Sequence, residues 1–360
     1  MSISPPSQTL ARRKHWRWVV IGLCVALFVL TLLNVGMGDS QTQKTVTSSV
    51  VLHVLWRHTP ILSHYAPPPP QDYSDSIVWE NRVPRALGGL MVGALLALAG
   101  VAFQSFLQNP LADPYMVGVS AGAALGSVIL ILLGGSTLLF GFARPLCAFV
   151  TGLLTTLIVY SLSRKEGRLS SQTFLLAGIV VGTFLWSFIP LMLSLANRSG
   201  NVDRQSAILA QLLGSLQLLD WSHVVMLAVF GVIGGGMLWG GVNELNLMSF
   251  GEESAAHLGV PIEGFKRRVI LAGSLVTAAA VSVAGIVAFV GLVVPHMARR
   301  IVGPDHRVLL PTAMLLGGLL LVFADWVSRV WLAQLEIGVI TSLIGAPVFC
   351  YLLRQRLVAR

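Results

Sequence analysis

Apolar stretches of roughly 20 residues recur from one end of this 360-residue sequence to the other, and that recurrence leaves few folds open. A helix rises about 1.5 Å per residue, so some 20 apolar residues cross the ~30 Å hydrocarbon core of a bilayer. Inside that core every backbone N–H and C=O must be satisfied by the chain itself. Residues 16–35, 85–107, 115–133, 143–163, 172–196, 222–242, 266–286, 288–302, 308–328 and 337–354 form ten such segments. Only 11% of residues are charged and 55% are hydrophobic, against about 25% charged in a soluble domain. The sequence therefore predicts an all-α, polytopic membrane protein with about ten transmembrane helices. A single transmembrane domain, 16–354, lies between a basic cytoplasmic tail, 1–15, and a short cytoplasmic tail, 355–360. The eighth segment is short, and its GIVAFVGLVVPH run contains Pro295, so it reads as partly re-entrant.

The net charge of +9 does not point to nucleic acid, because Lys and Arg sit in short clusters between apolar segments. With ten crossings and a cytoplasmic start, 16 of the 24 Lys and Arg residues fall inside, which places both termini in the cytoplasm. The opening RRKHWRW followed by an apolar run has the look of a signal peptide, but no A-x-A site follows, and it reads as a retained helix. Cys24, Cys147 and Cys350 are far apart and form no CxxC pair; they read as packing residues.

The longest external segment, 36–84, contains Pro67 to Pro70, which favour an extended spacer over a packed element, with a binding arm as the alternative. Its VVLHVLW stretch is too short to span and reads as an amphipathic surface piece. Glycines recur four residues apart at Gly89 and Gly93, at Gly118, Gly122 and Gly126, at Gly178 and Gly182, and at Gly231 and Gly235. On helices these make flat strips that let backbones approach, which is how membrane helices associate.

No GxxxxGK[ST] phosphate loop is present, so any ATP must be hydrolysed by another chain. Asp325, Arg329 and Glu336 cluster near one external connection and leave the helix centres nearly free of charge, which weighs against a secondary carrier. Gly118, Ser120 and Gly122 spell G-x-S-x-G, a hydrolase nucleophile pattern that needs a preceding strand, yet here it opens a membrane helix. His223, His296 and His306 lack metal-ligand spacing and read as polar interface residues.

Several long motifs then occur in order: RVPRALGGLMVGALLALAGVAFQSFLQNPLADPYMVGVSAGA, LNLMSFGEESAAHLGV, AGIVAFVGLVVPHMARRIVGPDHRVLLP, FADWVSRV and GVITSLIGAPVF. From about Arg82 to the C-terminus the chain resembles the FecCD family of ABC importer permeases, which carry siderophore iron, haem and cobalamin. The resemblance implies a type II importer-like permease and no enzyme, with no cofactor on this chain and ATP and Mg held by a partner ATPase subunit. It implies ABC ATPase subunits, an extracytoplasmic substrate-binding protein, a second permease copy or paralogue and membrane lipid as partners, and no nucleic acid. It also implies location in the bacterial plasma (inner) membrane. An iron-siderophore or related metal chelate is the expected cargo, with cobalamin or haem as the alternative and a secondary transporter or an intramembrane hydrolase resting on Ser120 as rivals.

Residue by residue, the resemblance places ATPase coupling in the cytoplasmic segment 243–265, at Leu245, Gly251, Glu252, Glu253, Ala256, Leu258 and Gly259. That stretch is too polar to span and alternates apolar and charged residues at helical spacing, as short surface helices do; a solvated amphipathic loop is the plain alternative. Docking of the binding protein falls on Arg82, Arg85 and Arg329, whose planar forks suit carboxylates, with headgroup anchoring as the alternative. The cytoplasmic gate falls on Asn109 and Leu111 in NPLADP and on Ser170 and Ser171 in LSSQ, unless these are plain connectors. Two departures stand out: Gln334 to Gly338 lacks the family's usual proline, and Gln211 replaces a usual Trp ahead of Gly214 and Ser215.

Overall fold

The computed structural model describes residues 6–37, 48–58, 76–135, 142–198 and 202–358. Pro67 to Pro70 and Ser74, in the expected external spacer, lie outside the described residues. The chain is built of α1 (Pro6–Gly36), α2 (Ser48–His58), α3 (Val83–Phe106), α4 (Val119–Leu132), α5 (Ala143–Leu162), α6 (Ser171–Arg198) and α7 (Val202–Leu213). It continues with α8 (Trp221–Gly240), α9 (Val242–Met248), α10 (Glu252–His257), α11 (Ile262–Ala284), α12 (Val290–Val302), α13 (His306–Trp331) and α14 (Ile337–Val358). A π-helical turn, Ile77–Arg82, leads into α3, and a 3-10 turn, Pro114–Val117, leads into α4. β1 (Arg164–Lys165) and β2 (Arg168–Leu169) form a small antiparallel hairpin whose turn residues Glu166 and Gly167 both have positive φ.

Each of the ten expected segments is helical. Among the described residues, seven helices are long and apolar enough to cross a membrane, and α4 and α14 are shorter apolar helices. α12 has 13 residues, about 20 Å, and falls short of the ~30 Å core. The irregular backbone that separates it from α11 is satisfied from within: the Tyr115 hydroxyl donates to the Val287 carbonyl at 2.8 Å and accepts the Val287 N–H at 3.0 Å. Non-helical backbone at membrane depth is tolerated only where the protein supplies such partners.

α3 and α11 form the interior, whereas α1 and α6 expose most of their apolar surface. With no hydrophobic drive between helices in lipid, close backbone approach decides which helices pair. A Cβ at Gly93 would collide with the Gly317 carbonyl, and one at Gly317 with the Gly93 carbonyl, so α3 and α13 meet backbone to backbone. Gly122 and Gly126 are held as tightly against Thr155 and Thr151 of α5, and Gly178 against the Met116 carbonyl. Gly182 and Gly235 are not: a Cβ there meets only ordinary contacts, so these two members of the expected strips are not packing requirements.

α2 is an 11-residue amphipathic piece that buries Val51 and Val54 against Val35, Val78 and Val83 and exposes Leu52 and Trp56. The two departures are locally well satisfied. Gln211 is buried and donates to the Val281 carbonyl, and Ala333 and Gln334, both at positive φ, turn the chain so that Ile337 N–H reaches the Gly214 carbonyl at 2.9 Å.

Candidate functional site

At one end of the bundle, α9 and α10 lie across the ends of the long helices. α9 is fastened on several sides: Asn246 donates to Asp305 at 2.9 Å and accepts the His306 N–H at 2.9 Å, Arg307 donates to Asn243 at 2.9 Å, and Arg268 pairs with Glu244. Leu245 and Met248 are fully buried, so Leu245 anchors α9 to the core. Of the expected coupling residues, Leu245 is thus one that packs inward within this chain.

Gly251, at φ +105°, turns the chain from α9 into α10, and Gly259, at φ +86°, turns it out again; both angles favour glycine. Between these turns only Ala255 is buried, while Glu252, Glu253, Ala256 and Leu258 are exposed. Phe250, which the sequence reading did not single out, is 72% exposed, and Leu258 is 62% exposed. Two large apolar side chains are thus exposed at the two ends of a short segment that also exposes the carboxylates of Glu252 and Glu253. In the sequence Phe250 follows Leu245, Leu247 and Met248, so nothing local sets it apart from residues that pack inward.

The gate candidates lie at the same end. In NPLADP the Asn109 side chain accepts the Leu111 N–H at 2.9 Å and Asp113 accepts the Tyr115 N–H at 2.9 Å, so two Asx turns hold the loop. Burial raises the Asp113 carboxyl to about 6, only partly opposed by the Tyr115 N–H. Ser170 is exposed, and its hydroxyl accepts the Thr173 N–H at 3.3 Å, which caps α6 at Ser171. The two loops are linked through α6, where Gly178 packs on the 3-10 turn that follows NPLADP.

A Ser–His–Asn series also occurs here: Ser105 Oγ lies 2.6 Å from His306 Nε2, and His306 Nδ1 lies 2.8 Å from Asn246. Ser105 donates to the Val101 carbonyl of its own helix and all three lie in the packing between α3, α9 and α13. Ser120 opens α4 directly after the 3-10 turn, without the strand a nucleophile elbow needs.

At the opposite end, the three arginines are not free at a surface. Arg82 donates to the Val35 carbonyl at 3.0 Å, and Arg85 donates to Asp325 at 2.9 Å through Nε and 2.8 Å through Nη2. Arg329 Nε lies 3.4 Å from the same carboxylate and its Nη2 donates to Asn34, whose amide in turn donates to Asp325 at 3.0 Å. The Asp325 side chain is 1% exposed, Arg329 4% and Arg85 12%. Within this chain a carboxylate on α13 and the end of α1 draw all three inward, Arg85 the least. Nearby, a cavity of about 270 Å³ of mixed character is lined by Arg144, Gln211, Ser215 and Glu336 with Ala210 and Leu218. Burial raises the Glu336 carboxyl, opposed by Ser215 and the charge of Arg85.

Comparison with known proteins adds a second line to this geometry. The pattern of the FecCD transport family matches residues 17–355. The chain is 41% identical over 337 residues to the cobalamin import system permease protein BtuC of Halobacterium salinarum, covering 92% of this chain and 88% of that protein. It is 42% identical over 282 residues to the uncharacterized ABC transporter permease protein YvrB of Bacillus subtilis, covering 77% of this chain and 78% of that one. A solved ABC transporter described as of metal-chelate type, in an inward-facing conformation, superposes with a TM-score of 0.78 at 28% identity, covering 94% of this chain and 99% of its own.

Proposed function

The chain belongs to the FecCD transport family and is a multi-pass ABC importer permease, not an enzyme, and from that premise we propose that α9 and α10 are where a separate ATPase subunit grips it. The observation that carries this reading is the exposed Phe250 and Leu258 pair framed by Glu252, Glu253 and the positive-φ glycines. ATP and Mg stay on the ATPase. Its movement is passed to the long helices, and the permease contributes two conformers of different stability rather than bond-making. That end, with both termini, faces the cytoplasm, in line with the positive-inside distribution.

A second copy of the chain or a paralogue completes a central pathway closed on the cytoplasmic side by the Asn109–Leu111 and Ser170–Ser171 loops. At the other end a substrate-binding protein delivers the cargo. Arg85, the least buried of the three arginines, is its contact residue, while Arg82 and Arg329 hold α1 and α13 beneath it. The cargo is a bulky metal–organic complex. Cobalamin is the favoured member, because the relative with 92% coverage of this chain imports it; an iron-siderophore or other chelate is the second reading, supported by the metal-chelate type structure.

The test is co-purification of the cognate ATPase with the permease and with a Phe250→Asp, Leu258→Asp variant. Retention by the native chain and loss by the variant, with membrane insertion unchanged, is the expected result. Undiminished capture by the variant would move the ATPase contact elsewhere.

A further inference from the structure

Lys266 sits in the second turn of α11 with its side chain 3% exposed, and its three donors must be satisfied by the chain. Its Nζ donates to the Leu169 carbonyl at 2.7 Å and to Glu252 Oε1 at 2.6 Å, and Glu263 Oε1 lies 3.8 Å away. Glu263 in turn accepts the Leu169 N–H at 3.1 Å. One ammonium thus joins three segments distant in sequence: the first residue of α10, the end of the β1–β2 hairpin and the start of α11. Leu169 is itself buried and is followed at once by Ser170 and by Ser171, the first residue of α6.

We propose that Lys266 is a positioning residue that makes α10 and the hairpin leading into α6 move as one body, so that displacement of α10 reaches the cytoplasmic end of α6. The inference rests on the reading that α10 meets the ATPase. The geometry supports transmission over simple anchoring because each arm of the contact ends on a different moving part. Glu252 lies on the exposed contact surface, and the Leu169 backbone lies one residue from the cap of α6. Leu169, held at both its C=O and its N–H, cannot shift without carrying the hairpin along. A charge this buried holds its partners strongly, since separation leaves it unpaired.

The experiment uses the full complex of permease, ATPase and binding protein in proteoliposomes, in a background with Cys24, Cys147 and Cys350 replaced. Spin labels at Arg168 and Glu253 report the hairpin-to-α10 distance by pulsed electron resonance, with and without trapped nucleotide. The expected result is one narrow distance, the same in both states. In Lys266→Met the distribution should broaden, and the ATP consumed per molecule of cobalamin imported should rise roughly tenfold, a size usual for coupling between sites. A variant that merely assembles poorly loses hydrolysis and import together and leaves that ratio unmoved. A native distance that changes between nucleotide states, or an unchanged ratio in Lys266→Met, overturns the proposal, and the first of these needs no substitution at Lys266. Failure of the ATPase contact itself is read separately, by capture that survives Phe250→Asp, Leu258→Asp.

Discussion

Replacing Asp325 with alanine should be among the most damaging single changes in the chain, and its size follows from the geometry. The carboxylate is 1% exposed and is shared by Arg85 at 2.8 Å, Arg329 at 3.4 Å and Asn34 at 3.0 Å. Its removal leaves two guanidiniums, 12% and 4% exposed, facing each other without their common anion. Breaking a buried pair by deleting one partner costs about 3–5 kcal/mol, against roughly 0–1 kcal/mol for an exposed pair. It also removes one of the two hydrogen bonds by which the Asn34 amide ties α1 to α13, leaving the one to the Val322 carbonyl. Removing all the charges together, as Asp325→Leu with Arg85→Leu and Arg329→Met, should restore most of the loss, since buried ion clusters replaced by apolar groups are often neutral. The assay is reversible unfolding in mixed micelles, followed by fluorescence of the nine tryptophans. A loss for Asp325→Ala below ~1 kcal/mol would refute the reasoning and would mean that the arginines reach water, free to dock a partner together.

Three other outcomes are expected. Gly93→Leu should cost about 1–3 kcal/mol in the same unfolding assay by forcing α3 from the Gly317 backbone, whereas Gly235→Ala, where only Leu98 stands in ordinary contact, should be nearly silent. Asp113 has a folded value of about 6, above the ordinary 3.8, so it binds its proton more tightly folded than unfolded; its contribution to stability should be fully present below about pH 4 and lost as pH rises through 6, and the difference between the native chain and Asp113→Asn should follow that course. A cysteine at exposed Gly167 should escape an impermeant thiol reagent added outside intact cells while one at Ser74 reacts; the reverse pattern would invert the topology.

How much of this was legible in the sequence depends on the range of the interaction. Helix positions follow from local hydropathy, and all ten segments are helical within a few residues. Gly93 was readable as half of a close contact, but Gly317 opposite it was not, because nothing local pairs residues on α3 and α13. With 36 glycines in the chain, four-residue spacings also arise where no backbone approaches, as at Gly182 and Gly235. The arginines were readable as lying at one end of the bundle, yet the inward turn of Arg85 and Arg329 depends on Asp325, 240 residues from Arg85, and that of Arg82 on the Val35 carbonyl. The 245–260 motif located the contact segment but not its faces: a seven-residue helix has too little periodicity to show that Leu245 points in, and Phe250 stands out only once α9 and α10 are seen to turn about Gly251. Lys266 looked like one more inside cation, since its partners Leu169 and Glu252 are brought to it only by tertiary folding.

The most direct measurement of the central claim is uptake of radiolabelled cobalamin into proteoliposomes that hold the permease, its ATPase and its binding protein. The account predicts accumulation that requires ATP and the ATPase and is lost in Phe250→Asp, Leu258→Asp. A ferric siderophore supplied in its place, with its own binding protein, decides between the two cargo readings. Uptake that proceeds without the ATPase, driven by an imposed ion gradient, would contradict the account.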